Sequence, residues 1–197
     1  MSYSKKFDEA VQLAVESFRD EHRKGGDIPY ITHLFAVTAT VGEAGGDEEQ
    51  MIAAVLHDYL EDIEGASADD LEGRFGARVR RMVEALSDSD AHPKKPWDER
   101  KQTYIQALRS EPSDVKLVSC ADKLHNINSI LRDLEVIGRR VFERFSEGET
   151  KQLWYYRSVV EALEDGWREP PPLLDELKSR VARVHQRVAE LPEPGAP

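Results

Sequence analysis

Cysteine and long apolar runs are the features that this chain lacks most clearly. Its 197 residues include a single cysteine, Cys120, so no disulfide can form within the chain. No apolar run reaches the ~20 residues that a membrane-spanning helix requires, and no secretory signal peptide is visible at the amino terminus. These absences predict a protein of the reducing cytoplasm.

Positively charged residues are also fewer than negatively charged ones. The chain has 27 lysines and arginines against 38 aspartates and glutamates, a formal net charge of −11. Such a surface repels the phosphate backbone of nucleic acids, which argues against a long polynucleotide partner. A small anionic ligand is still compatible, because one bound dication and a few local cationic side chains can invert the potential inside a cleft.

Alternating strand patterns are absent as well, and apolar residues instead recur three and four positions apart. This spacing predicts an all-α fold in a chain of ordinary single-domain length. The first helix is expected to begin near Phe7 and to end near Gly25 and Gly26. Further helices are expected over residues 31–41, 47–62, 67–75, 79–86, 97–108 and 117–131.

Proline marks the carboxy-terminal part of the chain. The run Pro170, Pro171 and Pro172 separates residues 1–168, the main domain, from residues 169–197. The latter comprise a proline-rich connection, a last helix and a frayed tail. This helix carries an apolar seam that packs either on the same domain or on a second subunit of a homodimer. The seam residues are Leu174, Leu177, Val181, Val184 and Val188.

Residues 87–96 form a further segment without helical spacing, rich in aspartate and lysine and containing two prolines. A plain solvated connection and a lid over a cleft both fit this composition.

Four ionisable residues, His57, Asp58, Glu61 and Asp62, lie within six positions of an otherwise apolar segment. On a helix, His57 and Glu61 would lie one turn apart, as would Asp58 and Asp62. Burial of such groups without partners is costly, so a divalent cation would relieve the repulsion. A solvated helix end is the alternative interpretation.

Two more polar residues interrupt apolar surroundings, His33 in the second helix and Asp122 in the helix around residue 120. Together with His57 and Asp58 they form a mixed nitrogen and oxygen set, which favours Mn²⁺, Fe²⁺ or another six-coordinate dication over a structural zinc. Open coordination positions would activate a water and polarise a phosphoryl oxygen.

The order His33, His57-Asp58, Asp122 resembles the H...HD...D signature of the HD phosphohydrolases. Longer segments are similar to the hydrolase domain of RelA/SpoT enzymes and small alarmone hydrolases, and this resemblance covers residues 4–165. The matching segments are residues 23–24, 29–33, 54–58, 61–62, 100–101, 104 and 121–126. The chain departs from the family at residues 18–22, at Leu34 and at Asn128, close to the region expected to contact the base.

The resemblance implies an HD-domain helical bundle that acts as a Mn²⁺-dependent 3′-pyrophosphohydrolase on guanosine tetra- and pentaphosphate. By this resemblance His33, His57, Asp58 and Asp122 ligate the metal. Glu61 and Asp62 handle the attacking water, and the nucleotide is contacted by Arg23, Lys24, Lys123 and Asn126.

Other interpretations stay open from the residues alone. Arg23 and Lys24 can instead complement a helix dipole, and Asn126 can satisfy backbone groups. At the level of function, the alternatives are a hydrolase of another nucleotide phosphoester, a non-catalytic module that senses nucleotide or metal, and an interaction scaffold built on the carboxy-terminal seam.

Overall fold

Helices form almost all of the regular structure. The computed structural model describes residues 3–88 and 94–192. The helices are α1 (Lys5–Ser17), α2 (Ile31–Glu43), α3 (Glu48–Val55), α4 (Tyr59–Asp62), α5 (Ala68–Phe75), α6 (Ala77–Leu86), α7 (Trp97–Ser110), α8 (Ser113–Ile137), a 3₁₀ helix (Gly138–Arg144), α9 (Glu149–Glu164) and α10 (Pro172–Glu190). Within the described residues the only β pairing is an isolated bridge between His22 and Pro29. The all-α prediction is confirmed.

Several helix starts follow directly from local chemistry. The side chains of Ser4 and Ser67 accept hydrogen bonds from backbone N–H groups in the first turns of α1 and α5. Asp47 and Gln50 form a reciprocal capping box at the start of α3. Each cap satisfies N–H groups that have no partner within the helix.

The first helix is shorter than predicted, because it ends at Ser17 rather than near Gly25 and Gly26. The apolar spacing stops at Phe18, so the following residues have no face to bury. They form a tight turn instead. In this turn the Arg23 N–H donates to the Ile28 carbonyl at 2.9 Å and the Tyr30 N–H to the Glu21 carbonyl at 2.8 Å.

The single helix predicted over residues 47–62 is also wrong, because the structure divides it into α3 and α4. Leu56 (φ −114°, ψ 9°) and Asp58 (φ −95°, ψ 2°) leave helical geometry. His57 lies between them, and its Nδ1 contacts the Ala54 carbonyl oxygen at 2.8 Å. The break places His57 and Asp58 on a turn rather than along a continuous helix.

Two apolar cores share the long helix α8. The first lies among α1, α2, α3, α5, α6 and the amino-terminal part of α8. The second lies among α7, the later part of α8, α9 and α10. All five seam residues of α10 are buried, packed with α8 and α9 of the same chain. The seam thus packs within its own chain. The domain boundary that the sequence places after residue 168 stays a prediction.

A buried lysine joins three helices of the second core region. Lys116 on α8 is 2% exposed. Its Nζ donates to the Arg109 carbonyl at 3.0 Å and to the Asp165 carbonyl. These carbonyls lie at the ends of α7 and α9, where helices leave acceptors without internal partners.

Two predictions fall largely outside the described residues. The suggested lid includes residues 89–93, and the frayed tail includes residues 193–197. No helix in the described part of the chain is long and apolar enough to cross a bilayer.

Candidate metal centre and cleft

Two buried histidines face each other where α2 meets the turn after α3. His33, in the first turn of α2, is 1% exposed and His57 is 2% exposed. Their ring centroids are 5.1 Å apart at an interplanar angle of 72°. The helix break described above therefore brings His57 to the start of α2, where His33 lies.

Two carboxylates complete the cluster. Asp58 Oδ2 lies 3.0 Å from His57 Nε2 and 3.8 Å from His33 Nε2. Asp122, on α8, places Oδ1 3.2 Å from His33 Nε2 and 3.7 Å from His57 Nε2. All four sequence-predicted metal ligands thus meet at one point.

The hydrogen bonds of His57 indicate which kind of ligand this cluster can hold. Its Nδ1 donates to the carbonyl of Ala54, which leaves a lone pair on Nε2 when the ring is neutral. That Nε2 is buried, has no hydrogen-bond partner and faces the carboxylate of Asp58. Two facing acceptors repel each other unless a proton or a cation lies between them. The centre therefore fits a divalent cation, with His33, His57 and Asp58 offering ligand atoms within 4.8 Å of one another.

Charge keeps the carboxylates ionised. Burial raises the pKa of Asp122, but Lys123 and the two histidines outweigh it and hold the pKa well below its ordinary value. Asp58 likewise has a lowered pKa, since His57 more than offsets its burial. Burial lowers the pKa of His57, yet Asp58 and Asp122 reverse this and raise it well above its ordinary value. Both carboxylates are thus ionised and favour positive charge beside them.

The carboxylate of Asp122 is held from two sides. Lys123 Nζ donates to Oδ2, and Asn126 Nδ2 donates to Oδ1 at 2.5 Å. The Asn126 Oδ1 in turn accepts from Arg23 Nη2. Of the four residues expected to contact nucleotide, three therefore form a connected network behind Asp122, and Lys24 lines the cleft beside them.

Two supporting residues were not among the predicted metal-ligating, catalytic or substrate-binding residues. The Tyr30 hydroxyl donates to Asp58 Oδ2 at 2.6 Å, and His125 Nδ1 lies 2.7 Å from His33 Nδ1. Such outer contacts orient ligating side chains. Their sequence signals were present, since Tyr30 and His125 lie within the segments that matched the family, but only the fold shows what they contact.

Glu61 and Asp62 lie on α4 at the edge of the same cleft. Lys94 Nζ is 3.1 Å from a Glu61 oxygen and 3.2 Å from an Asp62 oxygen. Burial, then Asp88 and Asp58, raises the pKa of Glu61, and burial followed by Asp58 raises that of Asp62. A carboxylate with increased proton affinity is suited to accept a proton from water.

A cleft of about 880 Å³ opens beside the centre. Its described lining residues include nine cations and six anions, so the cleft is net positive although the chain carries −11. The cationic residues are Arg23, Lys24, Lys94, Arg100, Lys101, Lys123, Arg132, Arg140 and Arg144. The local reversal of charge matches an anionic ligand.

This geometry defines a class of protein: a helical bundle whose buried histidine and aspartate centre can hold a divalent cation beside an anion-binding cleft. The chain belongs to the HD-domain family, because the model of that family, described as "HD domain", matches residues 10–146.

Curated relatives are similar over much of the chain. The guanosine-3′,5′-bis(diphosphate) 3′-pyrophosphohydrolase MESH1 of Mus musculus is 36% identical over 127 residues, covering 63% of this chain and 69% of the relative. The MESH1 of Xenopus tropicalis is 34% identical over 155 residues, covering 77% and 80%. A solved structure of a metazoan ortholog of SpoT that hydrolyzes ppGpp superposes with a TM-score of 0.74 at 27% identity, covering 94% and 98%. These findings confirm the predicted HD-domain fold, the family and the phosphohydrolase class of enzyme.

Proposed function

We propose that the chain is a guanosine-3′,5′-bis(diphosphate) 3′-pyrophosphohydrolase that uses Mn²⁺. The observation that carries this proposal is the convergence of His33, His57, Asp58 and Asp122, with an unpartnered His57 Nε2 among them, beside a cationic cleft. The substrate follows from the relatives that bear this activity in their names.

The metal would be held by His33, His57, Asp58 and Asp122, a nitrogen and oxygen set suited to Mn²⁺, with Fe²⁺ as the alternative. A divalent cation bound there lowers the pKa of water and polarises a phosphoryl oxygen. Tyr30 orients Asp58, while Lys123 and Asn126 orient Asp122, through the hydrogen bonds described above.

In the reaction, the oxygen of water bonds to the phosphorus attached to the ribose 3′ oxygen, and the bond between that phosphorus and the 3′ oxygen breaks. Glu61 or Asp62 accepts the proton that the water loses, and the 3′ oxygen gains one. The products are pyrophosphate and guanosine 5′-diphosphate. Arg23 and Lys24 contact the nucleotide phosphates from the turn that borders the cleft.

Assembly and location belong to the same proposal. The enzyme acts in the cytoplasm on a small nucleotide, without membrane or long nucleic-acid partners. A homodimer would need a surface other than the α10 seam, since Leu177 and Val184 of that seam are fully buried within the chain.

The test is hydrolysis of a nucleotide panel by the purified protein with Mn²⁺, together with the metal content of the protein as purified. Release of pyrophosphate from the tetraphosphate is expected in wild type and lost in Asp58→Ala. The matched control is Asp175→Ala, which changes an exposed aspartate on α10 that does not line the cleft. Turnover of other nucleotides but not of the tetraphosphate would favour a hydrolase of another nucleotide phosphoester. Metal binding without turnover of any nucleotide would favour a non-catalytic sensor.

A further inference from the structure

A buried aspartate lies beside Glu61, and the reaction proposed above gives it no role. Asp88 follows the end of α6, and its side chain is 3% exposed. Its two carboxylate oxygens accept from different cations, Oδ1 from Arg100 Nη1 and Oδ2 from Lys101 Nζ. Because Arg100 and Lys101 lie near the start of α7, Asp88 connects the end of one helix to the start of the next.

Asp88 is ionised in this position. Burial raises the pKa of Asp88, but Lys101 and Arg100 outweigh the burial and lower it. The two cationic side chains are themselves only 14% and 18% exposed. Lys101 Nζ also lies 4.9 Å from the centre of the Tyr155 ring, a distance typical of a cation–π contact. Lys101 is therefore held between a buried carboxylate and an aromatic ring.

The charges around Glu61 are distributed unevenly. The backbone N–H of Asp88 lies 3.4 Å from Glu61 Oε2, so the two residues are adjacent. Lys94 alone pairs with both Glu61 and Asp62. One lysine thus serves two carboxylates at this point, whereas Asp88 serves two cations. An excess of positive charge beside Asp88 therefore borders an excess of negative charge on α4.

This distribution favours proton uptake by Glu61. After burial, Asp88 is the largest cause of the raised pKa of Glu61, and Lys101 acts in the opposite direction. Lys101 is thus close enough to influence Glu61, although the two form no ion pair in the described part of the chain. A buried cation that loses its counter-ion is left uncompensated, which is costly. Without Asp88, Lys101 would pair with Glu61 and make it a weaker base.

We propose that Asp88 is a positioning residue that holds Lys101, together with Arg100, away from Glu61 and so leaves Glu61 able to accept a proton from water. This inference rests on the proposed function and takes Glu61 as the residue that accepts the proton. The role of Asp88 is indirect, because its carboxylate acts through the placement of Lys101.

The test measures kcat and KM for guanosine-3′,5′-bis(diphosphate) in wild type, Asp88→Asn, Lys101→Met and the double variant. In Asp88→Asn, kcat should fall about tenfold, a part of the roughly 10²- to 10⁴-fold that a positioned base contributes. The asparagine amide keeps the shape of the side chain but no longer attracts Lys101. Removing Lys101 as well should restore most of kcat, whatever its effect on KM, since no ammonium group then reaches Glu61. A double variant no faster than Asp88→Asn overturns the proposal.

The matched control is Asp98→Asn, an exposed aspartate of α7 that pairs with Lys151 and does not line the cleft, and its kcat should equal that of wild type. Urea unfolding checks that each variant is folded. If Asp88→Asn does not fold, the comparison of Lys101→Met with the double variant decides. Once Lys101 is absent, the loss of Asp88 should change kcat by less than about twofold, and a tenfold fall would show a structural role instead.

Failure of the proposed function gives a different result. If wild type does not hydrolyse the tetraphosphate, crystal structures of wild type and Asp88→Asn still decide the positioning role. Lys101 Nζ within about 4 Å of a Glu61 oxygen in the variant, but not in wild type, supports the proposal. Lys101 Nζ in the same place in both structures overturns it.

Discussion

Replacing Tyr30 by phenylalanine removes one hydroxyl group that hydrogen-bonds to the candidate metal centre. The Tyr30 hydroxyl donates to Asp58 Oδ2 at 2.6 Å. The ring stacks on Phe18 at 5.4 Å and meets the His33 ring edge-on at 5.5 Å. Phenylalanine retains both ring contacts, so the substitution isolates the hydrogen bond.

The hydroxyl is a donor throughout the working pH range, because burial, followed by Asp58 and Asp62, raises the pKa of Tyr30 well above 10.0. A hydrogen bond to an ionised carboxylate contributes about 1.5–3 kcal/mol. Loss of such an outer contact typically weakens metal binding by about 10- to 100-fold. We therefore expect the Kd for Mn²⁺ to rise by about this factor in Tyr30→Phe.

Isothermal titration with Mn²⁺ measures this effect directly, and urea unfolding of the same samples checks that the fold is intact. Tyr59→Phe is the matched control, since Tyr59 is a buried tyrosine on α4 outside the cluster. A Kd for Tyr30→Phe within about twofold of wild type, with an intact fold, would refute the reasoning, because the Tyr30 hydroxyl would then not determine how Asp58 is oriented.

Three further predictions concern the rest of the fold. Lys116→Met should lower the free energy of unfolding, measured by urea titration, by about 1–3 kcal/mol because it leaves helix-end carbonyls without a donor. Lys178→Met, which breaks a surface ion pair, should leave the free energy of unfolding nearly unchanged in the same titration. Burial, aided by Glu176, raises the pKa of Cys120 to about 12, so the thiol should react with a thiol reagent at pH 8 only after urea unfolding; reaction in the native state would contradict this. Burial lowers the pKa of His185 below 6.5, so the folded state binds fewer protons and its stability should fall as the pH drops below 6.5; a His185→Gln variant with the same acid sensitivity as wild type would contradict this assignment.

Much of the local structure was predictable from neighbouring residues. The helices predicted over residues 67–75 and 79–86 correspond to α5, which Ser67 caps, and to α6. These features depend on interactions within one or two helical turns, which the order of residues specifies directly. The candidate metal ligands could also be predicted from the sequence, because His33 and Asp122 are polar residues in apolar surroundings.

Contacts between distant parts of the chain decided the rest. The helix break at residues 56–58 is needed for His57 to face His33, yet the apolar pattern continues through it without interruption. The seam of α10 has the same residue spacing whether it packs on its own chain or on another. Only tertiary packing selects between these outcomes, since the periodicity of apolar residues states which face is buried but not what covers it.

The sequence by itself determined an all-helical chain, the residue types of a divalent-metal site and the family that combines them. The tertiary structure decided which side chains surround that site: Tyr30 on Asp58, His125 on His33, and Lys123 with Asn126 on Asp122. It also brought Arg132, Arg140 and Arg144 to the lining of the cleft beside that site. The physical reason is that electrostatic and hydrogen-bonding partners are selected by distance in space, which the separation of residues along the chain does not determine.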